Sequence, residues 1–229
     1  MHTKYFLAGL LTVCSTLHAA PPADAEKKAD TLLPKVVLVG DSIRLSYAPK
    51  VAKQLEGQVQ IISAAANGQD SRNVLKNLPA WVLNKQPAIV HFNCGIHDIK
   101  KTIADGSFQV SPDQYEKNLR EIVKQIRENT EAIVIFATTT PLHDQRASDY
   151  RKGRDYELLN ASIQQYNAIA LKVMKELEVP VNDLNAAIAT PADGQSTDDL
   201  IASDGVHMTA AAQKVLANQV SETIRQYLK

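Results

Sequence analysis

Cysteine is almost missing from this chain, which has only Cys14 and Cys94 in 229 residues. So few cysteines exclude a fold held by several disulfides, and stability must come from a buried core. No excess of either charge exists, because 25 Lys and Arg residues balance 25 Asp and Glu residues. The balance argues against a partner such as nucleic acid or a charged membrane surface, since proteins that bind these usually carry a basic excess or stripe.

The first twenty residues have the pattern of a secretory signal peptide. Lys4 supplies a positive charge, Tyr5 to Val13 form an apolar segment too short to span a bilayer, and Leu17 to Ala20 end in small residues. We therefore expect an exported protein, periplasmic or extracellular, with no integral membrane span. The predicted organisation is a signal peptide at 1–20, a flexible leader at 21–34 and a folded domain at 35–229.

Two alternatives exist for this N-terminal segment. Lipid anchoring through Cys14 is the less favoured one, because Val13 fits a lipoprotein cleavage site poorly. The other is a buried N-terminal helix. With the signal peptide removed, Cys94 would be the only cysteine, and no intramolecular disulfide could form.

Short apolar segments alternate with helical patterns through the rest of the chain, without an internal repeat. This alternation predicts an α/β fold, a three-layer α/β/α sandwich with a flavodoxin-like parallel sheet of about five strands. Ser71, Ser111 and Thr209 are predicted helix caps, and Gln114 is expected to complete a capping box with Ser111. Leu142 to Glu157 is the longest stretch predicted to be irregular. The strands are predicted at 36–39, 59–63, 88–93, 132–137 and 179–184.

Parallel sheets of this kind build their sites beyond the carboxyl ends of the strands. Ser42 follows the first predicted strand, in a sharp turn that presents its hydroxyl at a helix N-terminus. A nucleophilic serine needs a base and a group that orients the base. Asp204-Gly205-Val206-His207, just before the last helix, supplies both. Taken singly, each segment could also be an ordinary surface turn.

Four segments together resemble the SGNH (GDSL-type) hydrolases. Gly40-Asp41-Ser42-Ile43 is similar to the first family block, Asn67-Gly68 to the second, Gly95-Ile96-His97-Asp98 to the third, and Asp204-Gly205-Val206-His207 to the last. They occur in the family order and span essentially the whole mature chain. The resemblance implies that Ser42 is the nucleophile, His207 the base and Asp204 its orienting group. It also implies an oxyanion hole built from the backbone N–H groups of Ser42 and Gly68.

The third block departs from the family pattern at His97, where the family usually has an Asn that donates to the oxyanion. A neutral imidazole can also donate, through one ring nitrogen. We therefore consider three roles for His97: oxyanion donor, substrate contact or structural residue. Asn93 is an alternative donor four residues earlier, and Asp98 is expected to hold the turn or His97 itself.

Several other polar residues have both a chemical and a structural interpretation. Cys94 is better explained as a small core residue than as a nucleophile. His143 and Asp144 either contact substrate or belong to a solvated loop, and Arg44 either contacts substrate or a helix terminus, or lies on the surface. No metal is expected, because the possible ligands lack compact spacing. Those ligands are His91, His97, Asp98, His143 and Asp144.

The expected function is that of a secreted serine esterase that removes small acyl groups, acetyl above all, from carbohydrate. Its substrate is a small-molecule or glycan ester, and no cofactor is implied. A lysophospholipase or thioesterase of the same family is the alternative, although an aromatic content of 5% and the lack of an apolar lid segment disfavour long acyl chains. From a different class, a non-catalytic glycan-binding protein on this scaffold would explain His97 as a sign of lost activity.

Overall fold

The computed structural model describes residues 1–3, 33–191 and 194–228, and the chain divides into two units, Met1–Leu32 and Leu33–Lys229. The predicted signal peptide, Cys14 and most of the leader lie outside the described residues. The second unit begins β1 (Lys35–Val39), α1 (Ser42–Gln54), β2 (Gln60–Ser63), α2 (Ser71–Trp81), a 3₁₀ turn (Leu83–Lys85), β3 (Ile89–Phe92), β4 (Lys101–Thr102) and α3 (Pro112–Asn129). It continues with β5 (Ile133–Ala137), α4 (Asp144–Tyr150), β6 (Tyr156–Glu157), α5 (Asn160–Glu176), β7 (Val181–Asn182), α6 (Leu184–Ala189), α7 (Thr197–Leu200) and α8 (Ala210–Gln226).

Five of these strands form one parallel sheet in the order β2-β1-β3-β5-β7. This is the flavodoxin-like order, and it confirms the predicted fold class. In the centre of the sheet, Val37 lies beside Ile62 on one side and Val90 on the other. The register brings the ends of β1, β2 and β3 to a common edge, where the nucleophile turn and the loops after β2 and β3 meet.

Alternate residues of the central strand face two separate apolar layers. Val37 and Val39 pack with α2, α3 and α5, whereas Val36 and Leu38 pack with α1, α6 and α8. Every one of these four valine and leucine side chains is buried. A strand covered on both faces reads as a continuous apolar run, which explains the unbroken sequence Val36 to Val39.

The helix caps agree with the sequence at two positions and differ at a third. Ser111 accepts the N–H of Gln114, and Thr209 accepts the N–H of Ala212, as predicted. For α2, however, the cap is Asp70, whose carboxylate accepts the N–H of Asn73 at 3.0 Å. The Gln114 side chain donates to Asn118 instead of completing a capping box.

The segment from Leu142 to Glu157 is not irregular, which corrects the prediction. It contains α4 and β6, and β6 pairs with β4 in a two-stranded antiparallel sheet. The Nδ1 atom of His143 caps α4, and the Arg151 guanidinium donates to the Asp204 carbonyl at 2.9 Å. Such a short helix is stabilised by tertiary contacts, so its own sequence carries little periodic signal.

Two buried titratable groups near the third block have pKa values shifted in opposite directions. Burial lowers the pKa of His91 to about 4. Burial raises the pKa of Asp98 to about 7, although its carboxylate accepts both the N–H and the hydroxyl of Ser71. His91 therefore resists protonation in the fold, whereas Asp98 resists ionisation.

The opposite shifts predict opposite effects of pH on stability. Below its unfolded pKa of 6.5, His91 gains a proton only in the unfolded chain, so acid destabilises the fold. Between pH 3.8, its unfolded pKa, and about pH 7, Asp98 is protonated in the fold but ionised in the unfolded chain. Its contribution to the free energy of unfolding is therefore present in acid and lost as the pH rises through about 7. We expect His91→Gln to lower the free energy of unfolding by about 2 kcal/mol less at pH 5 than at pH 8, and Asp98→Asn to lower it by about 3 kcal/mol more at pH 5 than at pH 8.

Urea unfolding of both variants at pH 5 and pH 8 measures this difference, and each variant serves as the other's control. A shift in the same direction for both variants would show that a global effect of acid, and not these two groups, determines the outcome.

Candidate active site

The loops at the carboxyl edge of the sheet bring Ser42, His207 and Asp204 together. Ser42 Oγ lies 2.9 Å from His207 Nε2. The other ring nitrogen of His207, Nδ1, is hydrogen-bonded to Asp204 Oδ2. The serine is the first residue of α1, and Asp41 caps that helix by accepting the N–H of Ile43 at 2.9 Å. One element therefore presents the hydroxyl while the loop before α8 supplies its two partners.

The loop Asp204 to His207 is shaped by its own hydrogen bonds. Asp204 Oδ1 accepts the backbone N–H groups of Val206 at 3.0 Å and His207 at 2.9 Å, which leaves Oδ2 for the imidazole. Burial raises the pKa of Asp204, but these hydrogen bonds outweigh burial and hold the pKa below its usual value. An ionised Asp204 at neutral pH fixes the tautomer in which Nδ1 carries the proton and Nε2 faces Ser42.

Gly205 allows this loop to pack closely against α4. Its φ is +74°, and a Cβ atom there would lie 2.2 Å from the Ala147 nitrogen. Its carbonyl accepts the N–H of His143 at 2.8 Å. Only glycine meets both the positive φ and the close approach, so packing fixes the residue type at the first of the two positions between the orienting group and the base.

The predicted oxyanion donors have different surroundings. The Ser42 N–H belongs to the first turn of α1, where helix geometry provides no intrahelical acceptor. The Gly68 N–H is donated to the Gly40 carbonyl at 2.9 Å, so an oxyanion would have to compete with that bond. The Asn67 side chain accepts the N–H of Gln69 at 2.8 Å and stabilises the turn around Gly68.

The Asn93 amide is already engaged in hydrogen bonds. Its amide nitrogen donates to the Ala137 carbonyl at 2.8 Å and to the Thr139 hydroxyl at 3.3 Å. An asparagine amide has two N–H donors, and both are used to hold the ends of β3 and β5 together. This geometry does not support the alternative in which Asn93 replaces the missing family asparagine.

His97 is half-buried beside the triad. Burial lowers the pKa of His97, the carboxylate of Asp41 opposes this shift, and the charge of His207 adds to it. His97 is therefore neutral at pH 7, and a neutral imidazole has one N–H to donate. Its role as an oxyanion donor stays a prediction.

Two substitutions at His97 separate a donor from a structural residue. We expect His97→Asn to keep kcat for a short-chain ester within about tenfold, because the amide restores a donor. His97→Ala removes the donor and is expected to lower kcat by about 10²-fold with little change in KM. Steady-state kinetics of both variants test this, and full activity in both would rule out the donor role.

The remaining predicted residues have structural contacts. The Asp98 carboxylate accepts the N–H of Ser71 at the start of α2 and is not hydrogen-bonded to His97. Cys94 is buried, and burial raises the pKa of its thiol. Asp144 Oδ1 accepts the N–H of Asn160 at 2.6 Å, and His143 caps α4. In the part of the chain that the structure describes, no three His, Cys, Asp or Glu residues gather as a metal site.

The position of Arg44 in the fold differs more from the sequence-based expectation than that of any other predicted residue. Arg44 is not a surface residue, because it is 2% exposed and lies under the turn that carries Ser42. Its side chain donates to the Gly40 carbonyl and to the loop after β2. A single charged residue at the third position of a helix gives no sequence signal of such burial.

A serine, histidine and aspartate linked in this way on a flavodoxin-like sheet define a serine hydrolase. The chain belongs to the GDSL-like lipase/acylhydrolase family, whose model matches residues 38–215. It is a serine ester hydrolase of that family, as predicted.

Individual relatives are distant but similar over their whole length. The chain is 24% identical over 232 residues to Thioesterase 1/protease 1/lysophospholipase L1 of Escherichia coli (strain K12), covering 97% of this chain and 93% of the relative. A lipase/acylhydrolase from Enterococcus faecalis has a TM-score of 0.68 at 22% identity, covering 86% of this chain and 98% of its own. The acetylxylan esterase Axe2 from Geobacillus stearothermophilus has a TM-score of 0.63 at 17% identity, covering 86% and 96%. These similar structures show the shared fold.

Proposed function

We propose that this chain is an exported esterase that removes acetyl groups from carbohydrate by an acyl-enzyme mechanism. Ser42 attacks the ester carbonyl while His207 accepts its proton and then delivers that proton to the departing sugar oxygen. Water, deprotonated by His207, releases acetate and restores Ser42. Ionised Asp204 stabilises the imidazolium at both stages.

The observation that carries this proposal is the openness of the triad. The His207 side chain is 47% exposed, although Asp204, behind it, is only 15% exposed. A base that is half exposed at the surface can reach an ester on a bulky alcohol, such as a sugar in a chain. A long acyl chain needs an extended apolar channel, and burying each of its methylenes contributes about 0.8 kcal/mol.

A polar cavity of about 250 Å³ is lined by Lys100, three residues after His97 in the chain. Lys100, which lines the cavity, donates its backbone N–H to the His97 carbonyl at 3.4 Å, and Gln109 on the cavity wall donates to Asp70 at 2.8 Å. Thr102, Asp155 and Tyr156 complete the lining. Hydroxyl, amide, ammonium and carboxylate groups around one aromatic ring suit the alcohol part of a glycan ester better than an acyl chain.

The relatives support both the proposal and its alternative. One structure of the same fold is named an acetylxylan esterase, whereas the Escherichia coli relative is named a thioesterase and lysophospholipase. The open triad and the polar cavity favour the first activity.

A substrate panel tests the proposal. Purified protein is assayed with acetylated xylo-oligosaccharides, acetyl-CoA, palmitoyl-CoA and lysophosphatidylcholine, each beside Ser42→Ala. We expect the highest Ser42-dependent kcat/KM with the acetylated oligosaccharides. A preference for palmitoyl-CoA or the lysolipid would establish the alternative, and binding of the oligosaccharide without turnover would establish a glycan-binding protein.

Export is the second part of the proposal. Among the described residues, no helix has the length and apolar character needed to cross a bilayer. The pattern of residues 1–20 supports export, and N-terminal sequencing of protein recovered outside the cytoplasm tests it. A mature terminus near residue 21 is expected, whereas a diacylated Cys14 would establish the lipid-anchored alternative.

A further inference from the structure

The Arg44 side chain is buried, yet each of its five N–H groups has an acceptor. Nε donates to the Gly40 carbonyl at 3.2 Å, and Nη2 donates to the same carbonyl at 2.8 Å and to Ala66 at 2.8 Å. Nη1 donates to the Ser63 hydroxyl at 2.8 Å and to the Ala64 carbonyl at 2.6 Å. A buried cation with complete hydrogen bonding is a costly arrangement, so its geometry is tightly specified.

These bonds join the two segments that form the oxyanion side of the site. Gly40 is two residues before the nucleophile, and Ala64 and Ala66 belong to the loop that leads from β2 to Gly68. The Gly68 backbone approaches so closely that a Cβ atom there would lie 2.7 Å from the Gly40 oxygen. The guanidinium therefore sets the distance between the Ser42 turn and the Gly68 peptide.

The Gly40 carbonyl accepts three N–H groups, two from Arg44 and one from Gly68. A carbonyl oxygen has two lone pairs, so the Gly68 bond is the one it can lose at little cost while Arg44 remains in place. Without Arg44, that carbonyl would have only the Gly68 N–H, and losing it would leave a buried acceptor unpaired.

We propose that Arg44 is a positioning residue that keeps the Gly40 carbonyl satisfied and so frees the Gly68 N–H for the oxyanion. This inference rests on the proposed function, and it takes the Gly68 N–H as an oxyanion donor, as the family resemblance implies. In the resting state Gly68 donates to Gly40, and as the tetrahedral intermediate forms, the N–H turns to the developing charge while Arg44 holds Gly40. Lysine cannot replace Arg44, because an ammonium lacks the planar fork that reaches Gly40, Ala64 and Ala66 together.

The test compares Arg44→Lys and Arg44→Gln with the native protein on p-nitrophenyl acetate. The matched control is Arg120→Lys, which changes a surface arginine paired with Glu116 and Glu176. Affinity for phenylboronic acid, which forms a tetrahedral oxyanion on a nucleophilic serine, is measured beside kcat and KM. We expect both Arg44 variants to lose about 10²-fold in kcat and in boronate affinity, with KM changed less than about threefold, and the control to match the native protein.

Equal losses in kcat and boronate affinity at constant KM would show that the variants weaken the tetrahedral adduct and not substrate binding, and the Gly68 amide resonance described below then identifies the donor. If the native protein is active and the folded Arg44 variants have the same kcat, the positioning role alone is overturned. If the native protein shows no Ser42-dependent turnover, the proposed function is overturned.

Should both variants fail to fold, the native protein still decides the question. Boronate binding is expected to shift the amide resonance of Gly68 by NMR, and an unmoved Gly68 resonance in the boronate complex overturns the proposal.

Discussion

Replacing Ser42 by alanine is expected to lower kcat for p-nitrophenyl acetate by at least about 10³-fold. The substitution removes the atom that becomes acylated, and the residual rate reports only what the oxyanion donors and substrate binding contribute. The Ser42 side chain is partly exposed, and its hydroxyl is hydrogen-bonded to His207 and does not pack in the core. The free energy of unfolding is therefore expected to change by less than about 0.5 kcal/mol.

Ser46→Ala provides the matched control for this experiment. Ser46 lies one turn further along α1, is half-buried and donates its hydroxyl to the Ile43 carbonyl at 2.7 Å. Its loss removes a comparable hydroxyl from the same helix without touching His207. Equal turnover by Ser42→Ala and the native protein would mean that the observed hydrolysis does not pass through this triad.

The sheet and the convergence of the site segments follow from the sequence because both depend on patterns along the chain. Alternating strands and helices specify a parallel sheet, and a parallel sheet places the segments after its strands at one edge. Ser42 and the pair Asp204 and His207 are 162 or more residues apart in sequence, yet topology alone predicts that they meet.

The parts that could not be predicted depend on contacts between segments. Helix α4 is fixed by the close approach of Gly205 to Ala147, and neither residue identifies the other in the sequence. Arg44 is buried because carbonyl groups of a separate loop face its guanidinium. Backbone acceptors are present at every residue, so sequence contains no signal for which of them a buried arginine will meet.

The oxyanion side shows how these contacts change the chemical interpretation. The family resemblance directs attention to His97, since that is where a side chain differs. The structure adds a second question at Gly68, a residue that matches the family block but whose N–H is donated to the Gly40 carbonyl. A site can therefore match its motif and still depend on a residue outside every motif, here Arg44.

Asp204→Asn is expected to lower kcat by about 10⁴-fold while leaving the fold intact. The asparagine oxygen can still accept the N–H groups of Val206 and His207, so the loop keeps its shape. Its amide nitrogen cannot accept from His207 Nδ1. The imidazole then takes the tautomer with the proton on Nε2, which can no longer accept the proton of Ser42.

The pH profile distinguishes this mechanism from a loss of packing. Because hydroxide replaces the missing base, the Asp204→Asn variant is expected to recover activity steadily above pH 8, whereas the native rate stays level. Asp199→Asn is the control, since that exposed carboxylate lies five residues earlier and accepts from Ser196 at 2.7 Å without contacting His207. If Asp204→Asn retained native kcat at pH 7, His207 would not need the carboxylate, and Ser42 and His207 would act as a dyad.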